Sequence, residues 1–181
     1  MRVITGSARG KRLSVCAGRA VRPTPERVKE ALFSIVQFQI EGRRVLDLFA
    51  GSGQLGIEAL SRGAREAVFV DAASEPAAVV AKNLESTGLS DRAQVHHMDF
   101  AFYLEGDCET FDLAFLDPPY RTGLLQRALP MVACHMNPGG VIVCENPTDE
   151  SLPDSVEDFI RGKAYRYGKI ALTLYKHKDV T

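Results

Sequence analysis

From residue 43 onward, apolar runs of strand length alternate with stretches of helical periodicity, an order that few architectures accept. RRVLDLF (43–49), EAVFVDA (66–72), AQVHHM (93–98), FDLAFLD (111–117) and GVIVCEN (140–146) read as five strands. A helix near 54–62 is closed by Gly63, and a second, capped by Ser74, runs to about Thr87 before Gly88. A third helix lies between the last two strands, where Pro130 should kink or shorten it. KAYRY (163–167) and KIALTLYK (169–176) read as a closing antiparallel hairpin through Gly168. Buried strands joined by helical crossovers give a mostly parallel α/β sheet with helices on both faces.

The first 40 residues follow another pattern. RVIT (2–5) and KRLSV (11–15) flank GSARG as a small hairpin or extended arm. VRPTPERVKEALFSIV then starts a helix, with Thr24 as N-cap, Pro25 at the first helical position and Val28, Ala31, Leu32 and Ile35 on one face. The expected organisation is a basic extension over 1–40 and an α/β body over 41–181, within a chain of 181 residues that suits one sizeable core. Residues 1–30 hold eight Lys or Arg against Glu26 and Glu30, a net +6, while the rest of the chain carries −7. A basic arm on an acidic body points to a polyanion held at one end of the molecule; a solvated surface segment is the other reading.

The chain opens with basic residues but no apolar signal core, and no stretch approaches the length of a membrane span. Cys16, Cys108, Cys134 and Cys144 lack CxxC spacing, and the four histidines form no ligand set, so no metal is expected and a cytoplasmic home is.

After the first strand comes DLFAGSGQLG. Gly51, Gly53 and Gly56 satisfy G-x-G-x-x-G, and Asp71 falls 20 residues after Gly51, which is the fingerprint of a dinucleotide site and leaves an NAD-dependent oxidoreductase open. Asp47 argues against it. A carboxylate just before the loop repels a pyrophosphate but suits a ligand with a cationic amino-acid tail.

The run VLDLFAGSG resembles the first motif of class I S-adenosylmethionine-dependent methyltransferases. That resemblance implies a Rossmann-like fold: a mostly parallel seven-stranded sheet with a C-terminal antiparallel hairpin, here with a small N-terminal hairpin and helix added. It also implies S-adenosyl-L-methionine as cofactor, held by Asp47, Phe49, Ala50, Gly51, Ser52, Gly53, Asp71, Ala72, Asp99 and Phe100. Asp47 and the glycine loop would take the methionine end, Asp71 the ribose hydroxyls and Asp99 the adenine amine.

LDPPY follows at the end of the fourth strand, where open α/β sheets bind ligands. Asp117, Pro118, Pro119 and Tyr120 resemble the motif of enzymes that methylate exocyclic amines of nucleic-acid bases or related planar amides. Such an amine is a poor nucleophile, because its lone pair is delocalised into the ring. Acceptors on the Asp117 carboxylate and the Pro118 carbonyl favour the tetrahedral nitrogen that attacks the methyl. The two prolines fix the backbone, and Tyr120 offers a face for a flipped base, worth about 1–3 kcal/mol. These residues alone leave DNA adenine, guanine N2 of RNA and protein glutamine open.

RVITGSARGKRL, RPTPERVKEALFSI, VLDLFAGSGQLGIEALSRGA, LDPPY and YGKIALTLYK together resemble the RsmD family across essentially the whole chain. The resemblance implies methylation of guanine N2 in 16S ribosomal RNA, free or in an assembling small subunit; separately, a monomer is expected. The resemblance assigns Arg2, Arg9, Lys11 and Arg12 to phosphates and Arg22, Pro23, Thr24 and Arg27 to the neighbourhood of the target base. A DNA adenine N6 methyltransferase is the closest competitor, disfavoured by the lack of a separate target-recognition domain. A non-catalytic RNA-binding module would leave the acid set idle.

Overall fold

A computed structural model describes residues 1–16, 25–106 and 109–179. The strands are β1 (Arg44–Leu48), β2 (Glu66–Asp71), β3 (Ala93–His97), β4 (Phe111–Leu116), β5 (Met136–Pro147), β6 (Ser155–Val156), β7 (Phe159–Tyr167) and β8 (Ile170–His177). The helices are α1 (Glu26–Ile35), α2 (Gln54–Ser61), α3 (Ser74–Thr87), α4 (Phe100–Glu105) and α5 (Leu124–Ala133). Among the described residues the sheet has eight strands in the order β3-β2-β1-β4-β5-β8-β7-β6, one more than the seven expected. The extra strand is the two-residue β6, which pairs only with the start of β7 at the sheet edge. β1 to β5 run parallel, and β8 enters antiparallel between β5 and β7.

Period-two alternation divides the sheet residues between two cores. Val45, Phe69, Leu113 and Phe115 face α1, α2 and α3, while Leu46, Val70, Ala114 and Leu116 face α4 and α5. Residues buried on both faces explain why β1 beyond Arg44 reads as one apolar run broken only by Asp47. Val3, Ala8 and Leu13 of the N-terminal segment, with Leu32 and Phe33 of α1, belong to the first core.

The N-terminal hairpin lies over α2, which is why every residue of that helix is buried. Ile4 and Thr5 donate backbone N–H groups to Glu58 at 2.8 and 3.0 Å, and Ser7 N–H donates to the Ser61 carbonyl at 2.8 Å. A Cβ on Gly6 would fall 1.8 Å from the Ser61 carbonyl oxygen, so only glycine permits this approach. Glu58 is fully buried and is balanced by Arg62 at 2.8 Å and by buried Lys29 at 3.9 Å, whose ammonium also donates to the Arg2 carbonyl. Lys29 therefore neutralises an internal acid, and the polar network welds α1, α2 and the hairpin together.

Local punctuation departs from the expected pattern at three places. Thr24, the expected cap, lies outside the described residues, as do Arg22 and Pro23; Pro25 takes the N-cap position with ψ 140°, and the helix begins at Glu26. Ser74 is the first residue of α3, not its cap, because the N–H of Ala73 is already held by Asp71 at 3.0 Å. α5 runs through Pro130 for three further residues to Ala133.

α2 sits close on β2. A Cβ on Gly56 would lie 2.3 Å from a ring carbon of buried Phe69. Gly56→Ala should therefore destabilise the fold by about 1–3 kcal/mol, the scale of an overpacked core. Thermal melts should fall by roughly 2–12 °C; an unchanged melt would show that α2 can shift freely on the sheet.

Candidate active site

The strand order reverses around β1, which lies between β2 and β4. Leu48 is in register with Val70 on one side and Leu116 on the other, so Phe49, Asp71 and Asp117 leave the sheet side by side. Crevices at such switch points are where α/β sheets bind ligands. A cavity of about 380 Å³ lies there, in the size range of small-molecule sites. Its lining includes Asp47, Phe49, Ala50, Gly51, Ser52, Asp71, Ala72, Asp99, Phe100, Asp117 and Pro119. Of the residues expected for the cofactor, Gly53 alone is outside the lining; it is the left-handed N-cap of α2, packed under Val80. Pro118 and Tyr120 line an adjoining notch with Glu145 and Glu150.

The loop after β1 is held by the acids around it. Phe49 adopts φ +69°, a strained backbone for a residue with a side chain. Its N–H and that of Ala50 both donate to the Val70 carbonyl at 3.0 Å, and its ring packs on Phe100 with centroids 5.3 Å apart. Asp71 accepts from Gly51 N–H on one oxygen and from Ala73 N–H on the other, each at 3.0 Å. Asp99 caps α4 through Ala101 N–H at 2.8 Å and remains exposed.

Asp47 is the most constrained of the set. It is 2% exposed and accepts from Gly56 N–H in the first turn of α2 at 2.8 Å. Burial pushes its carboxyl up to about 7 against the opposing pull of that hydrogen bond, and nearby Asp71 adds to the rise.

Beyond β4, Asp117 is half-buried, Pro118 buried and Pro119 exposed. The Tyr120 hydroxyl donates to Glu145 Oε1 at 2.7 Å, which fixes the half-exposed ring beside the cavity. Burial, with Glu145 second, holds the phenol above its ordinary range.

Sequence reasoning missed the wall supplied by the N-terminal segment. Met1, Val15 and Cys16 line the cavity, as does Gln54 at the start of α2. Buried Asn83 of α3 pins that wall: its amide donates to the carbonyls of Ser14 and Ser52 at 3.0 and 2.9 Å, and its oxygen accepts from Ser14 N–H at 2.8 Å. Of the expected phosphate contacts, Arg9 and Arg12 are exposed, as is Arg27 on α1. Arg2 pairs with Glu26 at 2.8 Å, and the Lys11 ammonium donates to the Ser86 and Thr87 carbonyls at the end of α3. Among the described residues no group of three or more His, Cys, Asp or Glu could hold a metal ion, and no helix is long and apolar enough to cross a membrane.

The cavity offers carboxylates at four strand ends and aromatic faces at Phe49 and Phe100. That acidic lining, without Lys or Arg among the described residues, fits a ligand bearing an ammonium, hydroxyls and a purine, and it opposes a pyrophosphate. Residues 1–176 match the protein-family model described as conserved hypothetical protein 95. The ribosomal RNA small subunit methyltransferase D of Haemophilus influenzae is 34% identical, covering 98% of this chain and 94% of its own. The Escherichia coli K12 protein of the same name is 31% identical, covering 98% and 90%. The solved structure of yhhF from Escherichia coli superposes with a TM-score of 0.85 at 30% identity, covering 98% of this chain and 97% of that one.

Proposed function

The chain belongs to the RsmD family, matched as conserved hypothetical protein 95, and from that footing we propose that it transfers a methyl group from S-adenosylmethionine to guanine N2 of small-subunit ribosomal RNA. The observation that carries the reading is the meeting of the Asp47, Asp71 and Asp99 set with Asp117 and Pro119 around one cavity. An NAD-dependent oxidoreductase is not favoured, because buried Asp47 puts a carboxylate just before the loop whose amides would have to receive a pyrophosphate.

When bound, the cofactor supplies a sulfonium methyl: the amine lone pair forms the N–C bond while the C–S pair stays on sulfur. The chain's own part is to hold and shape the amine. The Asp117 carboxylate and the Pro118 carbonyl accept from its N–H groups, favouring the tetrahedral nitrogen and the positive charge that grows on it. The surplus proton leaves the methylated nitrogen for water. Tyr120, its ring fixed through Glu145, gives the base a surface to stack on. Asp47 takes the cofactor ammonium, Asp71 the ribose hydroxyls and Asp99 the adenine amine. Residues 1–40 act as the RNA-binding extension, with exposed Arg27 of α1 near the target base.

The reading is tested by methyl transfer from labelled S-adenosylmethionine to small subunits, naked 16S RNA and DNA, with the modified base identified afterwards. Label in N2-methylguanine from RNA substrates is expected; label in N6-methyladenine from DNA, or none anywhere, would overturn it.

Asp47 adds a pH signature. A carboxyl raised to about 7 in the folded chain favours the ligand-free fold at low pH, and that contribution is lost as pH rises through 7. Pairing with the cofactor ammonium needs the ionised form, so S-adenosylhomocysteine affinity should climb as pH rises towards 7. It should fall again at alkaline pH, where the ligand's α-amino group loses its proton. Calorimetry across pH should show this bell, and Asp47→Asn should remove its acid limb. An acid limb that survives in the variant would assign it to another group.

A further inference from the structure

Gln54 is the first residue of α2 and is 8% exposed, yet its Oε1 has no hydrogen-bond partner among the described residues. A buried acceptor without a donor is costly, and native structures seldom leave one so unless a ligand uses it. Its position is equally unusual. Gln54 lies on the wall of the cofactor cavity and also on that of a second, open cavity of about 710 Å³, formed with Arg2, Arg12, Pro25 and Glu26. Met1 and Val15 are likewise shared, so the two spaces adjoin, and the second opens beneath basic residues of the N-terminal hairpin.

Once the reaction's two ligands displace water from these cavities, the donor for Gln54 has to come from one of them. The cofactor's donors are its ammonium, ribose hydroxyls and adenine amine, and each already faces an acid in the reading above. The target base has donors left over. A guanine presenting N2 to Asp117 carries N1–H on the adjacent ring atom of the same edge, with O6 next to it. A glutamine amide can accept from N1–H and donate to O6 at once. We propose that Gln54 is a specificity residue, which reads the N1–H and O6 edge of the target guanine as the base crosses from the hairpin cavity to the methyl donor. The inference rests on the guanine N2 assignment, and its test separates the two.

The test compares full-length wild type and Gln54→Ala on a ribosomal RNA fragment carrying guanine or 2-aminopurine at the methylated position. 2-Aminopurine keeps the reactive amine but lacks N1–H and O6. Wild type should favour guanine by about 10- to 100-fold in kcat/KM, the range of a good bidentate base contact. Gln54→Ala should lose that preference, falling on guanine far more than on 2-aminopurine, and any loss of S-adenosylhomocysteine affinity should be much smaller than the loss on guanine, although Gln54 also lines the cofactor cavity. Equal losses on both bases, a retained preference, or a matching loss of cofactor affinity would overturn the inference. Should the alanine variant fold poorly, Gln54→Met keeps the buried length without the acceptor and carries the same comparison. Wild type inactive on either base would instead strike the guanine N2 assignment itself.

Discussion

Asp117→Ala should reduce methyl transfer by roughly 10²–10³-fold, the effect of removing one preorganised group from the charge that develops in a transition state. S-adenosylhomocysteine affinity should change far less, within about threefold, because the proposed partner of Asp117 is the reacting amine. Asp117→Asn should keep more activity than the alanine variant, since an amide oxygen still accepts a hydrogen bond. Single-turnover rates with saturating RNA and cofactor isolate this step. A collapse of cofactor affinity in Asp117→Ala, with the chemical rate intact once cofactor is restored, would move Asp117 from the amine to the cofactor. The geometry favours the amine: Asp117 leaves β4 next to Phe49 and is joined to Tyr120 by two prolines, so the acceptor and the stacking face move as one unit.

The central strands and the acids at their ends were legible because each depends on its own few residues. A buried parallel strand must be an apolar run, a strand-to-helix turn must bend on small residues, and a carboxylate at a strand end needs only register to reach the crevice. Asp47, Asp71, Asp99 and Asp117 therefore meet at the cavity although they are separated in the chain. Contributions set by long-range packing were not legible. Met1, Val15 and Cys16 reach the cavity because Gly6 lets the hairpin settle on Ser61 and Asn83 ties Ser14 to the glycine loop. Lys29 counts as surface charge until the buried Glu58 beside it is known. Gln54 follows the glycine turn that drew attention to the loop, and its isolation becomes visible only when its surroundings are placed. The two-residue β6 is too short to carry any periodic signal.

The arm's charges give the second large effect, and the structure divides them. Arg9 and Arg12 are exposed, whereas Lys11 serves the last carbonyls of α3 and Arg2 is paired with Glu26. If residues 1–40 grip RNA phosphates, the Arg9→Ala/Arg12→Ala double variant loses two contacts. The slope of log affinity against log salt should then flatten by roughly 1.4–1.8, depending on whether the contacted RNA is single-stranded or paired. With equal affinities at 1 M salt, that is roughly a 15- to 30-fold loss near 0.15 M. Lys11→Ala should behave differently: its ammonium caps a helix, so the loss should fall on thermal stability, by about 0.3–1 kcal/mol, with little change in slope. Cofactor affinity should stay within about twofold in the double variant, since neither arginine lines the cofactor cavity. A salt titration of RNA binding for wild type and both variants, with a cofactor titration beside it, separates these outcomes. Parallel slopes throughout would make Arg9 and Arg12 solvated surface, and the RNA would then have to be held by other basic groups, among which Arg27 on α1 is exposed.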